Sequence, residues 1–517
     1  IVIGNDIDYN INGLNLNFTD NSDLSSIYPN SGIVVKNGSN LTIEEAHLSS
    51  VSECSNTWEG IELWSESGSM ATVTIENTTI INAKVAVSNI SKYAYNNELA
   101  MKGGLVNLNN STIINSKIGV NIIEVLGQPT SHNIVGNTFL NSDNIISPTY
   151  INLNGVKYIS VKENMFNGSE TVATASRGTA IHAVNSNLNM MITKPNNQDF
   201  SFNNTYNHLY IGGNLENSTK SFLNMKVYNA FFSNVEKCIN INGQYNGEIA
   251  LNEFNVSAGA SVDHAFGIKT RGENNLLITE NVFFGEASIN NYGMISESNT
   301  VGEGLIKLNS FEGEFVNAIN FIGTNSFEEV SCNNFNIQGQ YDWFIYKNEN
   351  GELGELNVNK ELNINQFSDS NNVVFNLKNH YENQVFHYKD AYQFMPQTVG
   401  TSIALENMQI EVIKEEFCYN NNNNYHSVIE EVLSTDESEI GDNISIYPNP
   451  SNGMINISNK AESNIDRVLI MTIEGKVIET ISWNQQQSID LTSYSAGTYV
   501  VGLQLGDSVK TERVVIL

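Results

Sequence analysis

The tripeptide Asn-x-Phe/Tyr recurs along most of this chain, and its period restricts the available folds more than any other feature. It occurs as Asn137-Thr-Phe139, Asn164-Met-Phe166, Asn204-Thr-Tyr206, Asn229-Ala-Phe231, Asn252-Glu-Phe254, Asn281-Val-Phe283, Asn309-Ser-Phe311, Asn333-Asn-Phe335 and Asn365-Gln-Phe367. Successive Asn positions lie 27, 40, 25, 23, 29, 28, 24 and 32 residues apart. Asn77-Thr-Thr-Ile80 and Asn110-Ser-Thr-Ile113 read as earlier, Ile-bearing versions, whereas Asn325-Ser-Phe327 breaks the phase. Short strand-like runs flank the triplets, so one period holds about three strands and a turn, the content of one solenoid coil. In such a coil the same inward Ile, Val and Phe stack on their counterparts one coil away. Asn at a turn can stack as well, its amide bonding to the equivalent amide of the next coil. The expected fold is all-β, a right-handed parallel β-helix. An antiparallel sandwich array is the alternative, but its turns recur at about 8–12 residues without a longer period.

Composition agrees. Asn accounts for 83 of the 517 residues, and only 16% are charged. Asn competes with helix by bonding to nearby backbone and tolerates left-handed turns, so a long Asn-rich chain is a poor helix former. A single compact core rarely serves so long a chain, but a solenoid, in which each coil packs only on its neighbours, escapes that limit. The net charge of −31, with four arginines in all, argues against nucleic acid or an anionic membrane surface as a partner. Cys54, Cys238, Cys332 and Cys418 are scattered with no paired spacing, so no zinc site is expected and buried free thiols are the leading reading, with one disulfide as the alternative. No apolar run is long enough to span a bilayer. The chain starts at Ile1 without a leader, as expected of a processed or truncated product whose export signal lies upstream.

The segment from Cys54 to Trp64, CSNTWEGIELW, resembles a segment of β-helical surface proteins of the Bacteroidetes, with the pectate-lyase-like superfamily as the fold comparison. The β-helix is therefore expected over residues 1–372. Residues 373–418 crowd aromatic and His side chains together and read as a cap for the last coil, which would otherwise expose apolar and unpaired edges. His380 and His387 there are expected to pack rather than to bind metal. Residues 419–442 contain an Asn run and acidic groups without Lys or Arg, as in a solvated tether.

Residues 443–517 change style. Seven short alternating runs separated by turns predict a small immunoglobulin-like β-sandwich. Tyr447-Pro448-Asn-Pro450 with Gly453, the Gly475 hairpin, Gly497-Thr498-Tyr499 and the closing run from Lys510 resemble the type A C-terminal sorting domain of the type IX secretion system. The resemblance implies export through the periplasm, recognition of the tail by an outer-membrane translocon, its removal by a surface sortase-like peptidase, and a secreted or cell-surface passenger. The accessible linker suits cleavage.

Many parallel β-helices act on acidic polysaccharides, but the residues give little support for catalysis here. Hydrolysis needs paired carboxylates, and lyases need a base with the substrate carboxylate offset, often by calcium. Asp is sparse and unclustered, so neither a metal nor a cofactor is expected. The remaining constellation is Arg177 and His182 with Asp263, His264, Lys269 and Arg271, set about three coils or about 14–15 Å apart. Trp64, Tyr93 and Tyr95 are candidates for stacking on sugars. The passenger is therefore expected to be a non-catalytic adhesin, stalk or glycan-binding surface, the alternative being a polysaccharide lyase or glycoside hydrolase with an unrecognised site.

Overall fold

The computed structural model describes residues 1–346 except 19–30, 51–56, 66–68, 91–102, 125–130, 143–144, 191–203, 258–263, 287–289, 298–303, 324 and 328. Beyond these it describes 356–358, 365, 368, 373–379, 398–400, 444–447, 451, 454–459, 467–472, 477–483, 488–492, 494, 497–505 and 508–516. The chain divides into two compact units, the first spanning residues 1–194 and 201–418 and the second residues 195–200 and 419–517.

The first unit is a β-solenoid. One coil runs through Leu105–Asn109, Thr112–Ile114 and Ile118–Ile123, and the next through Ser131–Val135, Thr138–Leu140 and Thr149–Asn154. Each strand pairs in parallel with its counterpart one coil on, as Leu108 with Ile134, Ile113 with Phe139 and Val120 with Ile151. The first strand of each coil builds a twelve-stranded sheet, and the other two strands build a twenty-three-stranded sheet. All described pairings in this unit are parallel, which sets aside the antiparallel array. The parallel sheet also continues through Val373–Asn379 and Thr398–Gly400, past residue 372. Apolar residues form inward columns, such as Ile11, Ile43, Ile75, Leu108 and Ile134, all buried.

The coil corner is fastened by a buried amide ladder. Asn281 donates its backbone N–H and its Nδ2 to Asn309 Oδ1 at 3.1 and 2.9 Å, and its Nδ2 also reaches Ile249 O at 2.9 Å. The same pattern links Asn252 to Asn281, Asn309 to Asn333 and Asn333 to Asn365. A second run joins Asn137, Asn164 and Asn204. A side chain that both satisfies the backbone of the coil before it and bonds to the coil after it resolves the main difficulty of burying a turn.

The register corrects three triplets. At Asn229-Ala-Phe231 the ladder position is Ala230, whose N–H donates to Asn252 Oδ1 at 2.9 Å, and the ring that pairs with Tyr206 is Phe232. In the two Ile-bearing coils the ladder is carried by Thr78 and Ser111, with Ser111 Oγ accepting from Thr78 N–H and Asn137 Oδ1 from Ser111 N–H. Asn77 and Asn110 instead take the left-handed conformation (φ 48° and 47°) that Asn tolerates in a turn.

Two residues beyond the ladder, Phe139, Phe166, Tyr206, Phe232, Phe254, Phe283, Phe311 and Phe335 form one continuous stack with centroid spacings of 4.3–5.1 Å. That is the coil repeat itself, so the rings stack without distorting the sheet. The stack needs small neighbours: a Cβ on Gly267 or Gly293 would lie 2.6 Å from the ring of Phe283 or Phe311.

Cys238 is buried and free, as expected, whereas Cys332 is disulfide-bonded, which corrects the free-thiol reading there. Cys54 and Cys418 lie outside the described residues.

In the second unit, Ile444–Tyr447, Met454–Asn459 and Ser488–Asp490 form an antiparallel three-stranded sheet. Arg467–Thr472, Val477–Ser482, Gly497–Leu505 and Ser508–Ile516 form an antiparallel four-stranded one. Ile455, Ile489 and Leu491 of the first share a core with Val468, Ile470, Val501 and Val514 of the second.

Replacing Asn281 by Ala removes the acceptor of the buried Asn252 N–H and Nδ2 and a bond to the Ile249 carbonyl, so the apparent unfolding free energy should fall by about 3 kcal/mol. Ala230→Asn joins the two ladder runs and should raise it by about 1 kcal/mol. Urea unfolding monitored by circular dichroism checks both, and a destabilised Ala230→Asn would contradict the ladder's role.

Candidate functional site

Along Ile118–Ile123, Thr149–Asn154, Thr179–Val184, Thr205–Glu216, Phe231–Asn242 and Ala265–Arg271, core residues such as Ile122, Leu153, Ala183, Leu215 and Ile241 alternate with polar ones on the outer face. The register aligns Asn121, Asn152, His182, Asn214, Asn240 and Lys269 in one column. Beside it run Asn154, Val184, Glu216, Asn242, Arg271 and Glu297. Asn152 Nδ2 donates to Asn121 Oδ1 at 2.8 Å, and Asn240 Nδ2 to Asn214 Oδ1 at 2.7 Å. His182 Nε2 lies 3.6 Å from Glu216 Oε1, which also accepts from Asn214 Nδ2 at 2.9 Å. Glu297 holds Lys269 at 3.0 Å and Arg271 at 3.8 Å.

The structure therefore places His182, Lys269 and Arg271 on one face but does not bring them together. His182 is three coils from Lys269, about 14 Å at the strand spacing. Arg177 is elsewhere, closing the 3₁₀ turn Thr174–Ser176 with its Nε donating to Val172 O at 3.2 Å. His264 meets Tyr292 edge to face, and Asp263 lies outside the described residues. Trp64 is buried, donating Nε1 to Glu62 Oε2 at 2.8 Å, so it is not a sugar platform. Tyr93, Tyr95, His380 and His387 lie outside the described residues. Among the described residues no group of three or more His, Cys, Asp or Glu is placed to hold a metal ion.

The sequence reading missed a second cluster, at the bend of Phe231–Asn242. Glu236 is fully buried, and neither carboxylate oxygen makes a hydrogen bond. Burial pushes its carboxyl up to about 7, only partly offset by Lys237 and Arg177. Lys237 Nζ donates to Tyr210 OH at 2.6 Å and lies 4.5 Å from that ring's centre. His208, in a left-handed turn conformation, faces Glu170 at 3.5 Å and also feels the Arg177 charge. Glu236, Lys237, Tyr210, Arg177 and His208 are thus one electrostatic neighbourhood. In sequence they are far apart, and only the coil register sets Leu209 and Ile211 beside Val235 and Lys237. His132 was also unforeseen: it points into the core, accepts the Val106 N–H on Nδ1, and burial holds it down at about 4.

Of the tail residues singled out, Tyr447 lies on the first strand, Gly497, Thr498 and Tyr499 open Gly497–Leu505, and Lys510 pairs with Leu503. Tyr499 meets Tyr494 edge to face at 5.4 Å. Pro448, Pro450, Gly453 and Gly475 lie outside the described residues. Residues 445–517 match the family described as a secretion system C-terminal sorting domain. The protein is a type IX secretion substrate with a β-helix passenger.

This substrate is exported to the cell surface or secreted. No helix among its described residues is long and apolar enough to cross a membrane. The chain is similar to a GH136 lacto-N-biosidase from Eubacterium ramulus, at 11% identity, covering 70% of this chain and 68% of that one with TM-score 0.23. A tailspike protein gp49 from Acinetobacter baumannii bacteriophage Fri1, a capsular polysaccharide depolymerase, is 7% identical over 94% of this chain and 73% of its own, TM-score 0.19. An alginate lyase from Paenibacillus is 10% identical over 70% of this chain and 99% of its own, TM-score 0.15. No curated protein matches the chain.

A buried acid whose proton is held more tightly in the folded state stabilises the fold below its unfolded value, and that contribution is lost as pH rises through the folded value. Glu236 therefore weakens the fold as pH climbs from 4.5 to about 7 and stays a burden above it. Glu236→Gln should be more stable than the parent at about pH 8 by about 1–3 kcal/mol, with little difference near pH 4. Thermal unfolding across that range tests the assignment, and an equal difference at both ends would contradict it.

Proposed function

We propose that the passenger is a non-catalytic surface β-helix, an adhesin, stalk or glycan-binding surface, whose outer amide column contacts a carbohydrate. The supporting observation is that column itself, in which Asn152, Asn214 and Asn240 lie at the coil spacing with His182 between the first two, Asn152 bonded amide to amide to the buried Asn121 and Asn240 to Asn214. Each planar amide offers donors and an acceptor, and one amide–amide bond leaves capacity for the hydroxyls of a sugar. Their mutual bonds pre-order them, so little side-chain freedom is lost on contact. A glycan array on the full chain tests this. Binding should weaken about tenfold in an Asn214→Ala/Asn240→Ala double variant, about the loss of one or two net hydrogen bonds. A blank array would end the glycan reading.

The catalytic alternative is favoured by one observation, the raised acid Glu236, which lacks a paired carboxylate of the kind glycoside hydrolysis uses. Turnover of an anionic-polysaccharide panel, lost in His182→Ala or Arg271→Ala, would replace the binding reading by a lyase or hydrolase.

The two antiparallel sheets of the tail, read as an immunoglobulin-like sandwich, form the rigid surface the translocon recognises. The acidic segment 419–442 is the stretch a surface sortase-like peptidase cuts before the passenger is anchored at the outer membrane or released. Deleting residues 443–517 should leave the passenger in the periplasm, detected by cell fractionation. Undiminished surface delivery of the truncated chain would refute the tail's role.

A further inference from the structure

The Glu236 neighbourhood carries an unusual charge arrangement. Arg177 and Lys237 both act electrostatically on the carboxyl, yet none of the three forms an ion pair with another. Lys237 is turned to the hydroxyl and ring of Tyr210, and Arg177 to a backbone carbonyl. Arg177 is held close by its neighbour Gly178, whose carbonyl accepts both the Tyr210 and the Ile211 N–H at 3.1 Å. A buried acid normally recruits donors, and nearby cations normally close on it. Here the carboxyl has no donor and the cations have no acid, so the site is not neutralised from within.

Resting on the glycan-binding reading of the passenger, we propose that Arg177, Lys237 and Tyr210 form a site for the anionic oxygens of an acidic sugar unit. The proton on Glu236 sets whether the two cations are free to take that group. With Glu236 neutral, two positive side chains and a phenol hydroxyl present donors to a carboxylate or sulfate, the geometry in which charge-assisted hydrogen bonds are strongest. With Glu236 ionised, the same cations are drawn to it and an incoming anion is repelled. The charges acting on Glu236 are Lys237 on its own strand and Arg177 from the turn; Tyr210 of the preceding coil meets Lys237, and His208 of that coil, paired with Glu170, also feels Arg177. Phe266 and Ala265 of the following coil add no charge. The chain's net charge of −31 does not forbid an anionic ligand, because charges beyond about 8 Å are screened at physiological salt.

The test measures calorimetric affinity of the full chain for oligogalacturonate, a sulfated galactan oligosaccharide and the neutral galactan of equal length, at about pH 5.5 and about pH 8.5, one on each side of the raised Glu236 value of about 7. Acidic oligomers should bind at least about tenfold more tightly than the neutral one, and about tenfold more tightly at the lower pH than at the higher. Preference between oligogalacturonate and the sulfated oligomer assigns carboxylate or sulfate as the recognised group. Lys237→Gln and Arg177→Gln should each weaken binding about tenfold, and Lys237→Arg, which keeps the charge, should retain it if Lys237→Gln misfolds. Glu236→Gln should bind with no pH dependence. The proposal is overturned if neither acidic oligomer binds, if the neutral oligomer binds equally, or if the pH dependence survives in Glu236→Gln. The Asn214→Ala/Asn240→Ala variant separates the two readings, since it removes the amide column and leaves this site intact.

Discussion

The structure depends on how a buried turn satisfies its backbone. At every coil corner the chain must change direction inside the core, where an unpaired N–H costs about 1–3 kcal/mol. The amide of Asn meets that need in one coil while bonding to the next, so each coil is completed only by its successor. This makes the repeat cooperative along its axis and fixes the register to a single residue. The aromatic stack two positions on follows from that register, and so do the glycines beside the rings of Phe139, Phe232, Phe283 and Phe311.

Once the register is fixed, the outer face is decided too. Strand alternation sends every second side chain outward, and the column from Asn121 to Lys269 inherits the coil spacing of the ladder. The same constraint keeps distant coils apart, which is why His182 and Arg271 each settle on a local carboxylate rather than converging. Functional groups can meet only between adjacent coils or at bends. The bend at Asn234–Lys237 is such a place, and there an acid has been buried without donors, at the expense of stability.

Much of this was legible in the residues. The Asn-x-Phe period announced a solenoid because ladder and ring recur together, and the tail's turn residues announced separate strands whose order the structure reproduces. The reading failed where two frames lie one residue apart: Asn229-Ala-Phe231 fits the pattern in sequence, but the coil uses Ala230 and Phe232. Trp64 misled for a related reason, since a Trp on a strand next to an acid looks exposed until its indole is seen bonded to Glu62 in the interior.

By itself the sequence determined the class of the passenger, because the Asn-x-Phe/Tyr period rests on residue types at spacings the backbone cannot evade, and the resemblance of its tail to a sorting domain implied the route of export. Only the tertiary structure decided which coil neighbours which side chain. Insertions make the period irregular, from 23 to 40 residues, so contacts such as Tyr210 with Lys237 cannot be counted along the chain. Nor does the sequence reveal that Glu236 is buried without a partner, because burial at a bend depends on the coils stacked on either side.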